Sequence, residues 1–256
     1  MFSTKFSESK LIERFKNQEV FSREDLLRFY QVFEPDLKDG TFGWRIYELK
    51  RKHIIRDVKK GVYTLVEKQK FNPELDKMII KIGKLLESSF DHQVYNIWST
   101  AWLNEMTELQ ITSFMIILEV DKDSMQSVFF TLKDKGNFNN VYQKPDETVI
   151  NTYISENSEP IIVKSMISRA PVTRIKKVVI PTIEKILVDL YCDEKLFFAF
   201  QGNQLIKIYE SCLDKYNINY SRLLNYARRR KREEGIKEFL TTHLRDKIKG
   251  LLNDTN

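Results

Sequence analysis

The chain has 256 residues, 42% of them hydrophobic and 30% charged, with only 8 Gly and 6 Pro. That composition excludes disordered, fibrous and collagen-like classes and leaves room for one large core or two ordinary ones. The formal net charge is +6, concentrated in Lys50 to Lys60 and in Arg222 to Lys249, as a phosphate-binding surface requires.

The first segment reads as three short helices and a hairpin. Ser9 can cap a helix carrying Leu11, Ile12 and Phe15 on one face. Phe21 opens the next unit, and Ser22 with Asp25 resembles a capping box with Asp in place of Glu. The helix after it points Leu26, Leu27, Tyr30 and Phe33 inward, and Pro35 to Gly40 form a turn. Thr41 is the expected N-cap of a third helix running to about Lys52, with Phe42, Ile46 and Leu49 facing the core. Ile54–Val58 and Val62–Val66, separated by Lys59-Lys60-Gly61, read as a basic-tipped hairpin.

Helix, helix, helix, hairpin is the winged-helix order, so residues 1–70 are expected to form a winged helix-turn-helix domain that binds duplex DNA. The third helix would enter the major groove. Thr41, Trp44, Arg45, Glu48 and Lys52 point away from its core stripe, with Tyr47 and Arg51 on the flanks. Arg45 is the best candidate for a guanine edge, while Lys52, Arg56, Lys59 and Lys60 suit phosphates. A solvated charged face, or a winged helix that binds only protein, would have the same pattern.

From Asn72 the pattern changes. A helix is expected from Pro73 to about Phe90, then strands over Val94–Thr100 and Ser113–Val120, a helix over Asp121–Lys135 and a short strand over Asn140–Tyr142. A helix over Asp146–Ile154 and strands over Pro160–Met166 and Lys177–Ile180 follow. Strands alternating with helices indicate an α/β domain with a partly parallel sheet, over residues 71–256. Four helices close the chain: Thr182–Asp193, Asn203–Lys215, Tyr220–Arg230 and Glu233–Asn253. The helix after Thr182 is expected to turn Glu184 and Lys185 outward. The fold class is therefore mixed α/β, a winged helix followed by a larger α/β domain with a helical end.

Chemistry is sparsely signalled. Glu119, Asp121 and Asp123 end an apolar strand and could hold a divalent metal as in a nuclease or nucleotidyltransferase, yet neither motif is complete. Capping of the next helix by Asp121 and Asp123 explains two of them equally well. His53, His92 and His243 lack ligand or triad spacing, and neither a phosphate loop nor a Gly-x-Ser-x-Gly elbow is present. An enzyme, a metal site and a cofactor are not expected. Cys192 and Cys212 read as buried reduced thiols. No apolar run approaches the roughly 18–20 residues of a membrane span, and the N-terminus lacks the apolar stretch of a secretion signal, so a cytoplasmic protein is expected. Arg222 and Arg228 to Arg232 form the densest basic run, either a second phosphate-binding surface or a solvated helix end.

The run Gly40-Thr41-Phe42-Gly43-Trp44-Arg45-Ile46-Tyr47-Glu48-Leu49, with Ile54-Ile55 and Lys60-Gly61-Val62-Tyr63-Thr64-Leu65, resembles the winged-helix start of AbiEi-type antitoxins. Ile167-Ser168-Arg169-Ala170-Pro171, Pro181 to Asp189, and Tyr226-Ala227-Arg228-Arg229-Arg230 resemble later stretches of that family. The resemblance implies a type IV toxin–antitoxin or phage-defence role. The N-terminal domain would repress its own operon at promoter repeats, and the C-terminal domain would counteract a nucleotidyltransferase-like toxin without a stable complex. It implies DNA contacts at Thr41, Trp44, Arg45 and Lys60, and a neutralising surface at Lys164, Arg169, Arg228, Arg229 and Arg230.

Overall fold

The computed structural model describes residues 4–248 except 19, 52–53, 67–68, 91–94, 108–113 and 151–158; the side chains of residues 4–9, 58, 59, 147 and 246 lie outside that description. The fold is mixed α/β, with several sheets. Two compact units form: Met1–Lys68 with Arg245–Asn256, and Gln69–Leu244.

The first unit runs α1 (Thr4–Phe15), β1 (Phe21–Ser22), α2 (Arg23–Gln31), α3 (Asp39–Arg51), β2 (Ile55–Lys59) and β3 (Val62–Leu65). The strands make an antiparallel sheet in the order β1-β3-β2. Ser22 caps α2 as its sequence implies. The Asp25 amide donates to the Ser22 hydroxyl oxygen at 3.1 Å, and the Ser22 amide and hydroxyl donate to the Asp25 carboxylate at 2.9 and 2.7 Å. Those two donated bonds hold the Asp25 carboxyl below its ordinary range. Phe42, Ile46 and Leu49 face inward from α3 to meet Leu11, Phe15, Phe21, Leu26, Tyr30 and Tyr63. The hairpin turns at Lys60-Gly61, where Gly61 holds φ +74°, a left-handed conformation that a side chain would strain.

α3 starts at Asp39, so Thr41 lies inside it and is not its cap. Phe33 is half exposed, beyond the end of α2, and Phe29 takes the inward place beside Leu26 and Tyr30. α1 begins five residues before Ser9.

The second unit contains α4 (Lys77–Ser89), β4 (Tyr95–Ser99), a 3₁₀ turn (Thr100–Met106), β5 (Ile116–Val120), α5 (Met125–Asp134) and β6 (Val141–Gln143). It continues with a one-turn α6 (Glu147–Val149), β7 (Ile161–Ser165), β8 (Val172–Ile175) and β9 (Val178–Pro181). Helices α7 (Ile183–Cys192), α8 (Asn203–Lys215), α9 (Tyr220–Arg229) and α10 (Glu233–His243) complete it. The main sheet has the order β4-β5-β7-β6, antiparallel at β4/β5 and parallel at the other two pairs. This is the partly parallel sheet expected, and β8 and β9 form a separate hairpin.

Strand alternation divides the sheet's side chains. Tyr95 and Ile97, Ile116, Leu118 and Val120, and Ile161 and Val163 pack with Ile79, Ile82 and Leu86 of α4 and Met125, Val128 and Leu132 of α5. Asn96 and Trp98, Ile117 and Glu119, and Ile162 and Lys164 therefore belong to the opposite face. Asp76, not a residue nearer Pro73, caps α4, its carboxylate accepting from the Ile79 amide at 2.7 Å. The helix expected over Glu233–Asn253 breaks at Leu244, with a short α11 (Arg245–Ile248) after it; the rest of that expectation lies outside the described residues. Beyond Ile150, the helix expected over Asp146–Ile154 also lies outside them.

The capping geometry yields a stability prediction. Ser22→Ala should lower the unfolding free energy of the first unit by about 1 kcal/mol, and denaturant titration would check it; an unchanged midpoint would refute the cap's contribution.

Candidate functional sites

Two places gather chemistry, one in each unit. In the first unit, α3 presents Asp39, Gly40, Thr41, Gly43, Trp44 and Tyr47 to solvent. Trp44 and Tyr47 are 58% and 59% exposed, unusual for residues of this size. Gly40, Gly43, Trp44 and Tyr47 stand at i, i+3, i+4 and i+7 and share a face. A Cβ on either glycine would meet nothing within 4 Å, so internal packing does not require their smallness. In a helix interior, glycine costs about 1 kcal/mol relative to alanine.

The cations around α3 are largely held internally. Arg45, singled out from the sequence as a guanine reader, pairs with Glu34 at 2.5 Å and lies over the Tyr30 ring at 4.9 Å. Arg23 pairs with Asp39 at 2.8 Å, Lys50 with Asp57 at 2.7 Å, and Arg51 with Glu48 at 2.9 Å. Lys38, Arg56 and Lys60 are exposed and form no ion pair among the described residues. Lys52 and the side chain of Lys59 lie outside the described residues, as do His53 and His92.

In the second unit, strand register brings Asn96, Glu119 and Lys164 side by side across β4, β5 and β7. The Asn96 amide donates to Glu119 at 3.0 Å, and Lys164 lies 3.6 Å from the other Glu119 oxygen. From α7, Lys185 bonds Glu119 at 2.6 Å and Asp189 at 2.5 Å. Helical spacing sets the next layer. Tyr226 of α9 donates to Asp189 at 2.9 Å, and Arg230, just past that helix, reaches Asp189 at 2.9 Å and Asp193 at 2.6 Å. Lys164 closes the circuit on Asp193 at 2.5 Å. Three acids thus face three bases, in a cluster where Glu119, Lys185 and Asp189 are almost wholly buried.

Electrostatics follow the geometry. Burial pushes Glu119 up, but Lys185 and Lys164 overcome it and leave its carboxyl below the ordinary range. Burial likewise opposes Lys164 and Arg230, yet their carboxylate partners raise both. Burial pushes Asp193 up, and Lys164 and Arg230 draw it lower on balance. Asp189 goes the other way: its burial, with Glu119 near, outweighs Lys185, Lys164 and Arg230. Burial pushes the Cys192 thiol up to about 11 and that of Cys212 higher still, consistent with unreactive thiols.

Lys185 and Glu184 were expected to face outward; both are buried. Glu184 accepts the Asn219 amide at 2.9 Å and lies 3.4 Å from Arg222. The missed signal was α7 itself, which carries Ile183, Ile186, Leu187, Val188 and Leu190 around most of its circumference. Glu119, Asp121 and Asp123 do not converge: Glu119 is bound within the network, Asp121 and Asp123 are exposed, and Asp121 makes no side-chain cap. No group of three potential metal ligands occurs among the described residues.

The expected neutralising surface divides. Lys164 and Arg230 belong to the buried network. Arg169 and Arg229 are exposed, and Arg228 is exposed but paired with Glu233 at 2.5 Å. That bond and one from Lys237 hold the Glu233 carboxyl at about 2. His243 ends α10 beside the Phe239 ring.

A family model matches residues 41–246, most of the chain. The chain belongs to the family of unknown function DUF6577. The DUF6577 match starts inside α3, ends in α11 and so includes residues of both units, the buried network among them. A comparison with curated proteins found no match. No helix among the described residues is long and apolar enough to cross a membrane.

Two outcomes are expected of the network. Lys185→Met strands Glu119 and Asp189 without their shared cation and should destabilise the second unit by about 3–5 kcal/mol; a loss under about 1 kcal/mol in denaturant melts would be incompatible with the network as described. Glu119 and Asp193, lowered in the fold, bind protons more weakly there than in the unfolded chain. Their stabilisation is complete above the unfolded carboxylate range near ~4 and disappears as pH falls through their folded values. Melting temperature should therefore fall on acidification below about 4, and less so in Glu119→Gln.

Proposed function

We propose that the chain is a DNA-binding transcriptional regulator whose first unit acts as a winged helix, with α3 in the major groove and the hairpin tip on phosphates. The supporting observation is α3 itself. Its inner face is fully used by Phe42, Ile46 and Leu49, its outer face is open, and exposed Arg56 and Lys60 belong to the hairpin that follows. This is the disposition that a recognition helix and a wing require. Segment 1–68 carries 15 Lys and Arg against 11 Asp and Glu, a sign that suits a polyanion.

The resemblance to AbiEi-type antitoxins extends the reading to autorepression at inverted repeats and to antagonism of a nucleotidyltransferase-like toxin from the cytoplasm. The second unit would supply that antagonism, through its exposed Arg169, Arg228 and Arg229. Exposed Trp44 and Tyr47, with Arg45 held by Glu34, favour one rival: a winged helix that binds protein alone.

A gel shift and footprint on the DNA directly upstream of the coding sequence tests the proposal. A discrete footprint over repeats supports it, whereas no binding at low salt moves the assignment to the protein-binding rival. Lys60→Ala should weaken all sequences alike and reduce the salt slope by about one; an identical slope would remove Lys60 from the phosphate contacts.

A further inference from the structure

We propose that α3 reads thymine methyl groups by close apolar contact, through Trp44 and Tyr47 beside the glycines Gly40 and Gly43, so that the operator's central contacts are A·T pairs. This rests on the DNA-binding reading above and specifies what the bound helix recognises. Three observations lead to it.

First, the described cations of α3 are committed elsewhere. Arg45 is bound to Glu34 and stacked on Tyr30, Lys50 is bound to Asp57, and Arg51 to Glu48. Among the described residues the outer face therefore carries no Arg or Lys without an ion-pair partner to turn to guanine O6 and N7, and α3 has no Asn or Gln for adenine. Second, that face presents two large, exposed aromatic rings one turn apart. In the major groove the apolar feature available to such rings is the thymine C5-methyl group. Third, Gly40 and Gly43 leave open space where any other residue would put a side chain, although neither fold nor neighbour needs the room. A helix that gives up stability at an unpacked position gains a flat lane, which lets its backbone approach a ligand closely. Duplex DNA is the favoured occupant because Lys38, beside the start of α3, and Arg56 and Lys60, on the hairpin, are exposed and without ion pairs among the described residues.

The test uses the full chain to select duplexes from a randomised pool, then compares the selected duplex with the same sequence made with uracil for thymine. Enrichment of A·T pairs is expected, with affinity falling about fourfold for each contacted methyl removed, the worth of one buried methyl group. Trp44→Ala should bind more weakly and lose its sensitivity to uracil, which couples the ring to the methyl. Gly43→Ala should melt at a higher temperature and yet bind more weakly, a pair of opposite effects that a purely structural glycine would not produce. A selected duplex bound equally well with uracil, or a G·C-rich consensus, overturns this inference and leaves the DNA-binding reading standing. Failure to enrich any sequence, with no binding at low salt, overturns both.

Discussion

The second unit is organised around a charge cluster that is stable only if completed. Glu119 sits in a strand buried on both faces, and an unpaired carboxylate there would be prohibitively costly. Its own partners come from the neighbouring strands and from α7, while α9 and the residue after it hold Asp189 and Asp193, the carboxylates that share those partners. Sheet register, the seating of α7 and the placement of α9 are therefore mutually dependent. A one-residue slip of β5 would turn Glu119 into the apolar layer of α4 and α5 and leave Lys185 facing Leu118 or Val120. Attraction within such a cluster is largely offset by the loss of hydration. Its larger effect is to make alternative packings of the same apolar faces unacceptable.

The first unit uses charge differently. Its ion pairs are mostly exposed and individually worth little, but they tie down the side chains that border α3. Arg45 is the clearest instance, lying over Tyr30 with Glu34 at its far end. What they leave uncommitted is an aromatic and glycine surface on the helix and a few cations around it, a division that governs any account of the ligand.

Much of this architecture was legible because local rules and tertiary packing agree. The Ser22/Asp25 pair, the Phe42, Ile46 and Leu49 stripe and the Lys60-Gly61 turn each announce their geometry through residue type and spacing. Legibility ended where burial was two-sided. β5 is enclosed on both faces, so its charge did not reveal a direction, and Glu119 read as part of an acidic strand end. Lys185 read as a solvated first-turn residue because nothing local announces a strand carboxylate 66 positions earlier. The strand β8 escaped because its hairpin turns on Lys176 and Lys177, both at positive φ, without the glycine or asparagine that normally marks such a turn. Around Arg45, periodicity identified the exposure of Thr41 and Trp44, but only three-dimensional packing reveals that Glu34 and Tyr30 claim the Arg45 guanidinium, that Glu48 is largely covered beside Arg51, and that Tyr47 stands out instead.

The first unit is discontinuous: residues 1–68 are joined by the stretch from Arg245 onward. On a ribosome adding about 5–20 residues each second, the intervening 176 residues occupy roughly ten to thirty seconds. The three helices and hairpin emerge early, yet the unit acquires the stretch from Arg245 only after the second unit has been synthesised. The second unit, encoded as one uninterrupted stretch, can assemble its charge cluster within that interval. The first unit is thereby completed only after the whole of the second has been made, so its closure has to wait for a stretch of chain that folds apart from it.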